Sequence, residues 1–206
     1  HHIMNEVTKG NWSVDSIRQA VPGQLDRFGE DAYRLMFVTN HDENSWNGTI
    51  TERMGINGDA MTILAGTLTG MPLVYSGQES GSSKRLRFFE KDTVEWGSYD
   101  KTDLYQTINR LHHEEEALWN GAHGAQPVFS NLDSDDVLAF SRSKGNSAVI
   151  VAINFGDADA EVLMNGEFSP FEMDTTAKWN AVWGDIAASP VAMIPPHSAS
   201  VWVRSN

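Results

Sequence analysis

No cysteine occurs in the 206 residues, so neither a disulfide framework nor a thiolate metal site can form. No apolar run approaches the roughly 18 residues needed to span a bilayer. Basic residues are scarce: 15 Lys and Arg stand against 28 Asp and Glu, for a formal net charge of −13. That balance argues against a nucleic-acid groove or an anionic membrane surface, and it suits a neutral ligand. Hydrophobic residues make up 40% and aromatics 10%, which is ample for a packed core. Seven tryptophans offer flat faces either to that core or to a flat ligand.

The chain turns on residues 33–46, YRLMFVTNHDENSW. An apolar run (Leu35, Met36, Phe37, Val38) stops at Asn40-His41-Asp42-Glu43, so a buried strand over 33–40 is predicted to end in a polar cluster. Upstream, Ile3, Met4 and Val7 predict a helix over 3–9, stopping at Gly10. A second helix is expected from Ser13 to about Val21, ended by Pro22-Gly23. Residues 43–58 read as a polar loop. A helix follows from about Asp59 to Thr69, and a strand at Leu73-Val74-Tyr75 ends in Gly77-Gln78-Glu79. Strand, loop, helix and strand in this order form a parallel βαβ unit. Two parallel strands cannot close a barrel and are seldom left open to water, so residues 1–120 are expected to be part of a larger domain.

Residues 80–99 read as irregular, and a long helix is expected from Lys101 to Trp119 with Gly121 as its stop. From Val128 the style changes. Short apolar runs at 137–140, 148–153, 161–164, 178–183 and 199–203 alternate with Gly, Asn, Asp and Pro turns, as in an antiparallel sandwich. The expected division is 1–122 and 123–206, the boundary lying near Gly121 to Gln126. Three motifs fail on spacing. Asp42 to Arg53 lacks the glycine and the final glutamate of a calcium loop. Gly77 to Lys84 has the wrong spacing for a phosphate loop. His112-His113-Glu114 lacks a histidine at position 117, which is Ala117. No metal site is read in the chain. Asn11-Trp-Ser13 and Asn47-Gly-Thr49 match the glycosylation pattern.

Two spaced segments carry a resemblance. Phe37-Val-Thr-Asn40-His41-Asp42-Glu43 resembles the fourth conserved region of the α-amylase family, glycoside hydrolase family 13. Gly70-Met-Pro-Leu-Val-Tyr-Ser-Gly-Gln-Glu79 resembles its eighth-strand segment, which Phe88-Phe89-Glu90-Lys91-Asp92 continues. The resemblance implies the C-terminal portion of a (β/α)8 TIM barrel, with strands seven and eight at 33–40 and 73–77, followed by an antiparallel β-sandwich. Residues 1–10 would then fall on the helix after strand six. It implies retaining cleavage of α-1,4-glucans such as starch or malto-oligosaccharides. Asp42 would be the third active-site carboxylate, with His41, Asn40 and Trp46 binding substrate. No segment here matches the family's nucleophile or general acid, so the chain alone is expected to be inactive. No cofactor is implied for this chain; calcium would belong to the part preceding it. Self-association through the open barrel edge and a secreted or periplasmic location are further expectations. A glucanotransferase, branching or trehalose-forming enzyme would share these motifs, and so would a non-catalytic carbohydrate-binding member.

Overall fold

The computed structural model describes residues 1–29, 32–130, 132, 134–163, 179–184 and 191–204. Helix α1, His2–Thr8, leads to α2, Asp15–Phe28. Strand β1, Leu35–Met36, is followed by a π-turn at Glu43–Asn47, by α3 at Ile50–Met54, and by α4 at Gly58–Thr67. Strand β2, Met71–Pro72, pairs parallel with β1 in the register Leu35↔Met71 and Met36↔Pro72. Two flanking bonds extend the contact, Met71 N to Arg34 O at 2.8 Å and Leu73 N to Met36 O at 2.9 Å.

Both strands are shorter than the sequence suggests. The second lies at Met71–Pro72 and not at Leu73–Tyr75. The bonds to β1 come from Met71 N and Leu73 N, on either side of Pro72, so the N–H that proline lacks would face away from β1. Gly70 makes the close approach feasible. At φ +131, a Cβ there would sit 2.5 Å from Met36 Cγ and 2.6 Å from the Arg34 carbonyl.

Three other elements differ from expectation. Helix α2 continues through Pro22 to Phe28. Its packing outweighs the one backbone bond that Pro22 removes: Val14 and Ile17 are buried, and Arg18 Nη2 donates to Val137 O at 2.7 Å. The segment 43–58 is a run of short helical turns, broken at Gly48 and Thr49, rather than a loop. Thr49 and Glu52 form a capping box, with Thr49 N donating to Glu52 Oε2 at 2.8 Å and Glu52 N to Thr49 Oγ1 at 3.2 Å. The long helix is split into α5, Thr102–Glu114, and a 3₁₀ turn at Glu116–Leu118. Between them Glu115 is extended, because Ser147 Oγ holds both sides of the break. It donates to Glu115 Oε2 at 2.6 Å and accepts from Ala117 N at 3.1 Å.

Strands β3 (Val128–Phe129), β4 (Val137–Lys144), β5 (Ser147–Asn154), β6 (Ala160–Leu163), β7 (Trp179–Trp183), β8 (Val191–Ile194) and β9 (Ser198–Arg204) complete the chain. The predicted apolar runs match β4, β5, β6, β7 and β9, with Met164 and Lys178 lying outside the described residues. Five strands form one antiparallel sheet ordered β3-β4-β5-β9-β7, and β6 pairs with β8.

The central strands β4, β5 and β9 are buried on both faces, which explains the unbroken apolar run from Ala148 to Ile153. Leu138, Phe140, Val149, Val151 and Val201 join one core with Ile63, Leu64 and Ile108 of the helices. Val137, Ala139, Ile150, Ala152 and Trp202 meet Val162, Ala192 and Ile194 of the β6–β8 pair. Helix α4 lies against α5, β5 and β9, and nine of its ten residues are buried.

Candidate functional site

Past the end of β1, Val38 and Thr39 are buried, and the backbone then winds into a helical turn. Asn40 starts that turn. Its Oδ1 accepts from Glu43 N at 2.8 Å, and its carbonyl accepts from Asn44 N at 2.9 Å, as in a helix N-cap. Capping throws the next two side chains outward. His41 and Asp42 are 66% and 56% exposed, with Nε2 3.6 Å from Oδ1. That separation is too long for a hydrogen bond, so neither side chain ties up the other.

The turn is held from beneath by Arg53, which the sequence reading did not single out. Its guanidinium donates to Gly48 O at 2.9 Å, Asn5 Oδ1 at 3.0 Å, Glu43 Oε2 at 3.4 Å and Val38 O. Both partners of the ion pair are buried. Burial lowers the Arg53 pKa, and Glu43 opposes that shift. Glu43 therefore points inward to a structural partner, while Asp42 points outward. Two adjacent carboxylates have separate tasks.

Beside His41 lies a cluster of aromatic rings. Trp46 is 57% exposed and Phe89 84% exposed, with Phe88 between them. Phe88 stacks on His41 at 5.8 Å between ring centres and 22° between planes. It lies 5.1 Å from Trp46 and 4.7 Å from Phe89. The loop bearing the two phenylalanines is fastened to the turn by Asn44, which donates to Lys84 O at 3.1 Å and accepts from Leu86 N at 2.7 Å. Lys84 closes the loop on Asp92 at 2.6 Å, and Arg85 reaches Glu52 at 2.7 Å. The Lys84 ammonium, helped by the N–H groups of Thr93 and Arg87, brings the Asp92 pKa down to about 2. Arg85, with the Thr49 N–H, brings Glu52 to about 2.

Glu79, in the turn that follows β2 further along the chain, accepts from Gly77 N at 3.1 Å, a bond within its own turn. Gln78 anchors the same turn by donating to the Tyr105 hydroxyl at 2.7 Å. Burial pushes that phenol up to about 12. The candidate residues Asn40, His41, Asp42 and Trp46 thus meet on one surface, with Asn40 engaged in capping. Phe88 and Phe89 join them from another segment. An exposed carboxylate, an imidazole and flat rings can together bind hydroxyls and an apolar face. Among the described residues no three His, Asp or Glu side chains cluster as a metal site. No helix there is long and apolar enough to cross a membrane.

No family model matches the chain. Among curated proteins it is 28% identical over 158 residues to the α-amylase MalA of Haloarcula japonica, covering 74% of this chain and 23% of that one. It is 22% identical over 171 residues to α-amylase 2 of Dictyoglomus thermophilum, covering 76% of this chain and 29% of that one. The chain therefore spans less than a third of either relative. In fold it matches a noncanonic maltogenic α-amylase, AmyB, of Thermotoga neapolitana with a TM-score of 0.74 at 14% identity, covering all of this chain and 49% of that one. Other solved neighbours include glucanotransferases and a debranching enzyme. With α-amylases as its curated relatives, and an α-amylase, glucanotransferases and a debranching enzyme among its neighbours in fold, the chain resembles the α-amylase family, in keeping with the C-terminal part of such a protein.

Proposed function

We propose that the chain supplies the last two strands of a (β/α)8 barrel and a following β-sandwich to a retaining enzyme acting on α-1,4-glucans. The division falls near residue 122. Asp42 is its third active-site carboxylate and holds ring hydroxyls next to the reacting carbon, and His41 bonds the same ring. Trp46 stacks on sugar, and Asn40 sets the turn. The observation that carries this reading is the outward Asp42–His41 pair at the end of a parallel strand, kept apart from the inward Glu43. Hydrogen bonds that tighten as an oxocarbenium ion develops lower the barrier by several kcal/mol. Nucleophile and general acid come from elsewhere in a longer protein. The exposed Tyr33, Leu35, Met71 and Val74 around the short parallel pair support a covered edge, by further strands or by a second copy.

The test is Asp42→Asn in the longer protein. Loss of about 3–4 kcal/mol of transition-state binding predicts a fall in kcat/KM on soluble starch of about a hundredfold to a thousandfold. Reducing-sugar release within tenfold of the parent would refute the role, and release by residues 1–206 alone would refute the missing-nucleophile reading. A transferase of the same family is the second reading, favoured by the glucanotransferases among the neighbours in fold. Chromatography of the products separates transfer from hydrolysis.

A further inference from the structure

We infer, independently of the function proposed above, that the Asn120-Gly121 step modifies itself: the side-chain amide is lost as ammonia, and the joint between α5 and the five-stranded sheet loosens. Glycine after asparagine leaves no Cβ in the way, so its backbone nitrogen can reach the side-chain carbonyl. Gly121 N bonds to Asn120 Cγ, the Cγ–Nδ2 bond breaks, and ammonia leaves with the proton that Gly121 N gives up. Water then opens the five-membered imide at either carbonyl. One product is aspartate. The other is isoaspartate, in which the main chain runs through the former side chain and gains one backbone atom.

The sequence holds Asn-Gly at 47–48, 57–58, 120–121 and 165–166, the last outside the described residues. The fold treats the other three differently. Gly48 N donates to Glu43 O at 2.9 Å, and Asn47 Nδ2 donates to Glu43 Oε2 at 3.2 Å. Gly58 N donates to Gly55 O, and Asn57 Oδ1 lies 3.1 Å from His197 Nδ1. At both steps the attacking N–H and the amide under attack are tied down. At Asn120 neither is. Among the described residues the Gly121 N–H meets no acceptor, and Asn120 Oδ1 is buried without a donor. A cavity of about 30 Å³, lined by Asn120, Gly121 and Gln126 among others, lies beside the step and has room for about one water.

The turn that follows has no slack for an extra backbone atom. Arg142 donates to Trp119 O at 3.0 Å and to Ala125 O at 2.7 Å, and Lys144 donates to Ala122 O. Gly124 packs so closely that a Cβ there would lie 1.7 Å from Trp119 O. Isoaspartate at 120 lengthens the chain between two carbonyls that one guanidinium spans, so it pulls one of them off Arg142.

The experiment ages the longer protein at mildly alkaline pH and follows the Asn47, Asn57 and Asn120 peptides by mass spectrometry. Asn120 is expected to convert about tenfold faster than the other two, the ratio that about 1.4 kcal/mol of local opening at the protected steps would set. In urea-unfolded protein the three should convert at similar rates. Equal rates in the folded protein overturn the inference, and so does the same ranking in urea, which would assign it to local sequence. The aged parent is expected to unfold at a urea midpoint lower by about 0.5 M. Asn120→Gln, whose longer side chain closes an imide far more slowly, should keep its midpoint on ageing. An aged parent with an unchanged midpoint, or an Asn120→Gln variant that loses as much, overturns the loosening. Should that variant fail to fold, the peptide rates and midpoint of the parent decide.

Discussion

Replacing Arg142 by methionine tests how α4 is fastened to the five-stranded sheet. Arg142 lies on β4, is 1% exposed, and all its hydrogen bonds among the described residues go to carbonyls. Nη1 donates to Thr67 O and Leu68 O at 3.0 Å, Nη2 to Trp119 O at 3.0 Å and Nε to Ala125 O at 2.7 Å. One cation thus satisfies the last carbonyls of α4, where the helix dipole is negative, and the segment leading into the sheet. Burial brings its pKa down to about 10, so it remains charged at neutral pH.

Four charge-assisted bonds at about 1.5–3 kcal/mol each amount to about 6–12 kcal/mol gross. Methionine avoids the several kcal/mol needed to desolvate the guanidinium, and fills much of its volume. The difference leaves a net loss of about 3–5 kcal/mol, a large part of the about 5–15 kcal/mol that holds a typical domain. With a slope of about 2 kcal/mol per molar urea, the unfolding midpoint should fall by about 1.5–2.5 M, read by tryptophan fluorescence. Arg142→Lys, one ammonium on a shorter reach, should recover less than half of that. A midpoint shift under about 0.5 M, or a methionine variant more stable than the parent, would refute the reasoning.

Two further outcomes follow from buried groups. Arg53→Met leaves Glu43 buried without its guanidinium and should cost about 3–5 kcal/mol in urea unfolding. Adding Glu43→Gln should recover part of the loss, and a strictly additive double variant would show that the pair is not coupled. His112 is half-buried, with Nε2 bonded to the Gly66 carbonyl, and desolvation lowers its pKa below the usual 6.5. A histidine lowered in the folded state binds its proton more readily when unfolded. Its contribution is therefore intact above about pH 6.5 and is lost as the pH falls towards the folded value. His112→Gln should flatten the pH dependence of the melting temperature in that window, and an unchanged slope would count against it.

The parts of the fold legible in the sequence were those set by local pattern. Helix α4 followed from Met61, Leu64, Ala65 and Leu68 at helical spacing, and strands β4, β5, β6, β7 and β9 from short apolar runs between turns. The exposed polar turn that carries Asp42 was legible because an apolar run stops at a cluster of polar residues. Thr49 and Glu52 carry a readable capping signal, yet the abundance of Asn and Gly around them suggested a loop. Pro22 misled because tertiary packing carries α2 through it. Arg53 and Arg142 were invisible for another reason. Their partners Asn5 and Thr67 lie 48 and 75 residues away, and no periodicity encodes such a meeting. The ring cluster is similar, since Trp46 and Phe88 converge only when two separate segments fold together.

A helix without an outer face has consequences for how such proteins can be recombined. Because α4 is packed by α5 on one side and by β5 and β9 on another, its side chains are shaped by both neighbours at once. Exchanging only residues 123–206 between relatives would set a foreign sheet against an unmatched helix and open voids or clashes along Ile63 and Leu64. The transferable module is the sheet together with α4, to be exchanged as one piece.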